Sequence, residues 1–158
     1  MAEKNSVERV RAALLAAGHA DTIATFPEGT RSAADAAAAI GCSVAQIAKS
    51  VVFRANGEQA AVVIASGVNR VDTAKVAALL GVTLKRADAE WVREHTGFAI
   101  GGVSPLGLLG APLLVFDRDL LELHPIYAAA GSPQHIFRTE AHALARMTGA
   151  VVAEVREG

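Results

Sequence analysis

The chain has 158 residues, 52% of them apolar and 20% charged, with a formal net charge of -1. That length suits one domain with one substantial core, and the apolar content excludes a disordered or fibrous chain. The charge balance argues against a dedicated duplex-DNA binder, and aromatics at 4% are too few for a base-stacking platform. Any contact with nucleic acid is expected to be local, on the scale of one RNA end.

Residues 1–6 carry charges of both signs and no apolar run, so they do not read as a secretory signal. Asn5 followed by Glu8 suggests a capping box, and Val7, Val10, Leu14 and Leu15 continue it as a helical stripe ending near Gly18. Ser32 with Asp35 opens a second, Ala-rich helix that stops at Gly41. Ser43 with Gln46 begins a short third helix, which delivers the chain to Lys49 just before a strand at 51–53. Asn56-Gly57 is a hairpin signal, with 60–64 as the returning strand.

A helix is expected from Asp72 or Thr73 to Gly81, then a short strand at 82–85 and a helix from Asp88 to about His95, closed by Gly97. Further strands read at 113–116, 126–129, 135–137 and 151–155, with a helix over 139–147 before the last. Residues 98–116 carry no charge and approach the ~20 residues that span a bilayer. Gly101, Gly102, Gly107, Gly110, Pro105 and Pro112 interrupt any helix there, so the segment reads as a buried loop running into a strand. A hairpin and closely spaced strands do not fit strict βαβ alternation. The expectation is one α+β (mixed α/β) domain over residues 1–158.

Several chemistries lack their motifs. Cys42 is the only cysteine, which rules out an intrachain disulfide or a cysteine-based metal cluster and suits a reducing cytoplasm. His19, His95, His124, His135 and His142 are scattered, without HExxH, and no metal or cofactor is expected. There is no phosphate-binding P-loop and no GxGxxG. Gly102-Val103-Ser104-Pro105-Leu106-Gly107 resembles a nucleophile elbow with one residue too many. The residue after its serine is Pro105, which has no N–H to give an oxyanion, so Ser104 does not read as an acyl-enzyme nucleophile.

Two features remain. Lys49 precedes a very apolar strand and admits two readings: a solvated lysine with its stem on apolar surface, or a site cation. The Gly-rich stretch from Thr96 to Gly107 is either a tight crossing between strands or main chain that approaches a ligand closely. Successive N–H groups in such a loop can hold an anion or polarise a carbonyl. Asn69 and Asp72 read either as pocket groups or as a turn and a helix cap, and Gly131-Ser132-Pro133 with His135 as a site mouth or an ordinary turn. Phe26, Pro27 and Thr30 are candidates for a lid. Trp91 and Cys42 read as packing residues.

Taken in order, the segments Thr30-Arg31-Ser32-Ala33, Ala48-Lys49-Ser50-Val51-Val52-Phe53, Gly67-Val68-Asn69-Arg70-Val71-Asp72, Gly101-Gly102-Val103-Ser104-Pro105, Phe116-Asp117, Ala130-Gly131-Ser132-Pro133 and Thr148-Gly149-Ala150 form a pattern. It resembles the YbaK/prolyl-tRNA editing family of aminoacyl-tRNA deacylases over nearly the whole chain. The resemblance implies a curved, largely antiparallel mixed sheet surrounded by helices. It implies hydrolysis of the ester between a wrong amino acid and the tRNA 3′ end, with prolyl-tRNA as the context. It places the family's lysine at Lys49 and its backbone-active glycines at Gly101 and Gly102, with substrate contacts at Val103, Ser104 and Pro105. It further implies assistance by a ribose hydroxyl of the substrate, which would explain the missing triad.

The cysteine-clearing branch carries a tyrosine-containing stretch where this chain has Thr30-Arg31-Ser32-Ala33-Ala34. The departure points instead to alanine, 2-aminobutyrate, serine or threonine as the amino acid removed. A prolyl-tRNA synthetase or an elongation factor is the partner the resemblance suggests, with no membrane and no DNA. The alternative is a non-catalytic module that binds an aminoacyl or nucleotide end.

Overall fold

The structure is a computed structural model that describes residues 2–30 and 32–158; Arg31, part of the matching pattern above, lies outside the described residues. The elements in chain order are α1 (Ala2–Ala16), β1 (Ala24–Thr25), α2 (Ala33–Ile40), β2 (Ala48–Ala55), β3 (Gln59–Ser66), α3 (Thr73–Leu80), β4 (Leu84–Arg86), α4 (Ala89–Thr96), β5 (Leu113–Asp117), β6 (Ile126–Ser132), β7 (His135–Thr139), α5 (Ala141–Thr148) and β8 (Val151–Ala153). Short 3₁₀ turns lie at Val44–Gln46 and Arg118–Glu122.

The strands form two sheets rather than one continuous sheet. One has the order β1-β7-β6, the other β4-β2-β3-β5-β8. Pairings β1–β7, β6–β7, β2–β3 and β2–β4 are antiparallel, whereas β3–β5 and β5–β8 are parallel. The fold is therefore α+β with a mixed, largely antiparallel set of strands. A parallel bridge between Ile47 and Tyr127 joins the two sheets at the start of β2.

Local chemistry accounts for most boundaries. Ser32, Asp72 and Asp88 each accept a hydrogen bond from the N–H three residues on, at Asp35, Lys75 and Trp91, and so cap α2, α3 and α4. Ser43 and Gln46 form a capping box around one 3₁₀ turn only. The β2–β3 turn places Asn56 at φ 52° and Gly57 at φ 81°, the two positive values that a type I′ hairpin requires.

Some expectations move. α1 begins at Ala2, so Asn5 sits inside the helix and not at its cap. Lys49 lies within β2 rather than ahead of it, because the ladder to β3 extends to Ala48↔Ser66. β4 is shifted to Leu84–Arg86 and β8 ends at Ala153, while β1 and the turn at Arg118–Glu122 carry too little pattern to be read in advance.

The main core packs α1, α4 and α5 against the sheets through Val10, Leu14, Val92, Phe98, Phe116, Phe137 and Leu144. Phe98 is only 1% exposed, which fixes the start of the glycine-rich segment inside the protein. A second core, with Phe53, Val63, Val76 and Val115, covers the other face of the five-stranded sheet. A third joins Ala36 and Ala37 of α2 to Ile47 and Ile136. No helix among the described residues is long and apolar enough to cross a membrane.

Candidate functional site

β2 is the strand that builds the site. At its start Ile47 is bridged to Tyr127 of β6, and at its end only Phe53–Ala55 are covered by β4. Between those points the edge turned away from β3 has no strand partner. The Gly101–Val103 stretch faces this gap, and an open cleft of about 140 Å³ results. Ala48, Lys49 and Ser50 line one side and Gly101 and Val103 another. Thr30, Ala33 and Ala36 close it from the α2 side, with Tyr127 and Ile136 at the far wall.

Lys49 is the only charged side chain lining the cleft among the described residues. Its Nζ lies 3.5 Å from the Gly67 carbonyl at the end of β3. Burial pushes its pKa down from the usual lysine value of 10.5, nearby Arg70 pushes the same way, and Asp117 partly opposes them. The carboxylate of Asp117 is itself completely buried. It accepts from the Ser66 N–H at 3.0 Å and from Asn69 Nδ2 at 2.8 Å, and Asn69 Nδ2 also donates to Asp119 at 2.9 Å. Asn69 thus ties down the loop that carries the carbonyl against Lys49. Asp72 caps α3, and neither Asn69 nor Asp72 lines the cleft.

Gly101 has φ 93°, a conformation that strains any residue with a Cβ. The Gly102 N–H is already donated to the Ala99 carbonyl at 2.9 Å. No such bond engages the N–H groups of Gly101 or Val103 among the described residues, and both residues line the cleft. Gly102 instead packs on main chain: a Cβ there would lie 2.6 Å from Ser132 Cα. Gly131 does the same against α1, at 2.7 Å from the main chain of Ser6. Ser104 is buried and its Oγ accepts from the Leu106 N–H, while Pro105 lines a different cavity, beside Ala13 and Met147.

The loop before α2 is strapped to the β6–β7 turn. The Pro133 carbonyl accepts from both Thr30 N–H and Thr30 Oγ1, at 2.6 and 2.9 Å, and the Gln134 carbonyl accepts from the Phe26 N–H at 2.7 Å. Phe26 lines a neighbouring cavity that shares Tyr127 and Ile136 with the cleft. His135 Nδ1 and Ser132 Oγ are 2.6 Å apart. Because Gln134 N–H donates to Ser132 Oγ, the hydroxyl proton is free to go to Nδ1. Ser132 is buried and neither residue lines the cleft, so this pair does not form a nucleophile and base within it.

The structure thus brings Lys49, Gly101, Val103 and Thr30 to one cleft. It places Gly102, Gly131, Ser132, Pro133 and His135 behind or beside it, and Ser104, Pro105, Asn69 and Asp72 in supporting contacts. Tyr127, Ser50 and Ile136 line the cleft without having been singled out in the sequence. Ser50 stands next to Lys49 in the matching segment, but Tyr127 and Ile136 reach the site through strand pairings that no local pattern announces.

Lys49 and two main-chain N–H groups without a hydrogen-bond partner among the described residues thus meet at one small cleft of mixed polar and apolar lining on an α+β frame. The chain belongs to the aminoacyl-tRNA editing domain family, whose model matches residues 27–147. It is 31% identical over 127 residues to the protein YwhH of Bacillus subtilis (strain 168), covering 80% of this chain and 81% of that one. A solved structure of a protein proposed as a trans-editing enzyme for prolyl tRNA synthetase is 42% identical, covers 97% of this chain and 98% of its own, and superposes with a TM-score of 0.89. The structure of protein APE2540 is 32% identical, with coverage of 94% and 99% and a TM-score of 0.88.

Proposed function

We propose that this protein is a cytoplasmic aminoacyl-tRNA deacylase that acts in trans, removing a small wrong amino acid from mischarged tRNA, with tRNA for proline as the substrate context. The observation that carries the reading is the convergence of Lys49 with the Gly101 and Val103 main chain on one cleft. Its volume of about 140 Å³ is below the ~300 Å³ at which sites for drug-sized ligands begin, which suits a short side chain such as that of alanine, 2-aminobutyrate, serine or threonine.

In this reading the aminoacyl group enters between Ala33, Ala36 and Ile136. The N–H groups of Gly101 and Val103 take the carbonyl oxygen and stabilise the negative charge that develops on it. Lys49 acts as a point charge on the ribose or phosphate of the terminal adenosine. Water adds to the carbonyl carbon, assisted by the neighbouring ribose hydroxyl. The bond from that carbon to the ribose oxygen breaks, and the ribose oxygen leaves with a proton. An aminoacyl ester is already activated, so positioning supplies most of what the reaction needs. Thr30 and Phe26 frame the mouth, strapped there by the Pro133 and Gln134 carbonyls, while Gly102, Gly131, Ser132 and His135 give support from behind or beside it and Ser104 braces the turn at Leu106. A prolyl-tRNA synthetase or an elongation factor would deliver the substrate, since a net charge of -1 gives little affinity for RNA by itself.

The test is a panel of tRNAs charged with cognate and non-cognate amino acids, incubated with purified protein. Release of a small amino acid from the mischarged species, abolished by Lys49→Ala, is the expected result. Binding of the charged end without turnover would replace the enzyme with a recognition module.

A further inference from the structure

The glycine-rich segment that carries Gly101 and Val103 has little of its own to hold it in shape. Between Gly97 and Gly107 it forms no helix or strand, and the bond from Gly102 N–H to the Ala99 carbonyl is the one main-chain hydrogen bond closed within it among the described residues. Its two ends nevertheless meet at a single side chain of α1. Arg9 donates from Nη2 to the Gly97 carbonyl at 2.8 Å and from Nε to the Gly107 carbonyl at 2.9 Å. The same guanidinium lies over the buried Phe98 ring, its carbon 4.6 Å from the ring centre. Arg9 has no carboxylate partner among the described residues, so its charge is met by main-chain carbonyls and a ring face. Close approach explains the residue type at both anchors. A Cβ on Gly97 would fall 2.6 Å from Arg9 Nη2, and one on Gly107 would fall 3.3 Å from the Arg9 main chain.

Resting on the deacylase reading, we propose that Arg9 is a positioning residue for the reaction, a two-pronged clasp that closes the Gly97–Gly107 loop and so fixes where the Gly101 and Val103 N–H groups point. Arg9 does not line the acyl cleft and acts through the loop alone. A compact surface loop of this length has its ends close together, and here one guanidinium holds them there. Main-chain donors stabilise a developing negative charge only when they already stand where it forms. The planar fork of arginine reaches two carbonyls at once, whereas a lysine ammonium is a point charge on a flexible stem. Lys49 grips the RNA end independently of the loop. Loosening the clasp therefore removes an interaction made in the transition state and leaves recognition of the charged end in place.

The experiment compares wild type with Arg9→Ala, Arg9→Lys and two controls, at a temperature where melts show every variant folded. Arg11→Ala removes an α1 cation that pairs with Glu8 and Asp21 rather than with the loop. Val76→Ala lowers stability from the second core, on the other face of the five-stranded sheet. On mischarged tRNA, Arg9→Ala should lower kcat by about 10²-fold, the scale of a misplacement near 1 Å, with KM close to that of wild type. Arg9→Lys should recover only a small part of that loss, and both controls should keep the wild-type kcat. A purely structural Arg9 would behave like Val76→Ala, with a lower melt and full kcat, and that result overturns the proposal while leaving the deacylase reading standing. The clasp is also read without turnover, by amide hydrogen exchange. In Arg9→Ala, exchange should quicken at Gly102 and Leu109, whose N–H groups bond to Ala99 and Thr96, by more than at Val63 in β3. Equal changes at all three overturn the clasp. If wild type hydrolyses no charged tRNA, the deacylase reading fails, and the exchange measurement decides the clasp by itself.

Discussion

The main chain of Gly102 lies against that of Ser132 so closely that a β-carbon on Gly102 would come within 2.6 Å of Ser132 Cα and 2.9 Å of its nitrogen. This contact docks the glycine-rich loop on the end of β6. It also explains why two consecutive glycines serve different purposes. Gly101 faces the cleft in a left-handed conformation, and Gly102 supports it from behind.

Gly102→Ala should therefore damage the site without touching a ligand. The atoms it would strike are backbone, which cannot rotate away. Overpacking of this kind costs about 1–3 kcal/mol, and each kcal/mol lowers the melting temperature by about 2–4 °C in a domain of this size. A thermal melt should show that fall, together with a loss of deacylation larger than the fall in stability accounts for.

Lys49→Met should behave in the opposite way. Burial and Arg70 hold the Lys49 pKa below the usual 10.5, so the unfolded chain binds the proton more tightly than the folded one. The charged lysine thus opposes folding at neutral pH, and that opposition is relieved as pH rises through the folded pKa toward 10.5. The substitution should leave the protein folded and at least as stable at pH 7, by denaturant titration, while activity disappears. In wild type, binding of a non-hydrolysable amide analogue of the charged tRNA should weaken at a pH below that of an ordinary lysine.

Asp117→Asn tests the support beneath Lys49. The carboxylate accepts hydrogen bonds from the Ser66 N–H and Asn69 Nδ2, which flank the Gly67 carbonyl that meets the ammonium, and from the Asp119 N–H in the turn after β5. Hydrogen bonds to a charged group contribute about 1.5–3 kcal/mol each, and an amide preserves only part of them. A stability loss of about 2–3 kcal/mol is expected. Removing the negative charge also lowers the Lys49 pKa further, so the alkaline limb of analogue binding should move to lower pH. A purely structural role for Asp117 would change the melt and leave that limb in place.

Ala36→Leu probes the acyl cleft. Ala36 is 5% exposed, packs on Ile47 and Ile136, and lines the cleft from the α2 side. Added methylenes there should reduce kcat/KM for 2-aminobutyryl or threonyl esters more than for alanyl esters. One methylene discriminates by about 1–3 kcal/mol, so a selectivity change of roughly tenfold or more is the expected scale. Equal loss on all substrates would place the amino-acid side chain elsewhere.

Much of this was legible along the chain. The caps at Ser32, Asp72 and Asp88, the Asn56-Gly57 turn and the lysine of β2 are all properties of a few adjacent residues, and elements of that kind follow from local hydrogen bonding and backbone preference. The pairing of Lys49 with a backbone loop some fifty residues later could be recognised as a pattern, though not as a distance. What only the tertiary structure decided is how the strand edges are used. Whether β2 is covered by β6, by β4 or by nothing depends on contacts between residues far apart in sequence. Tyr127 and Ile136 reached the cleft, and His135 did not, because strand partners and register are chosen by the packing of both sheets together. Composition and motif specify the groups that can do chemistry here; the uncovered edge that gathers them is set by long-range packing, which leaves no trace in any short stretch of residues.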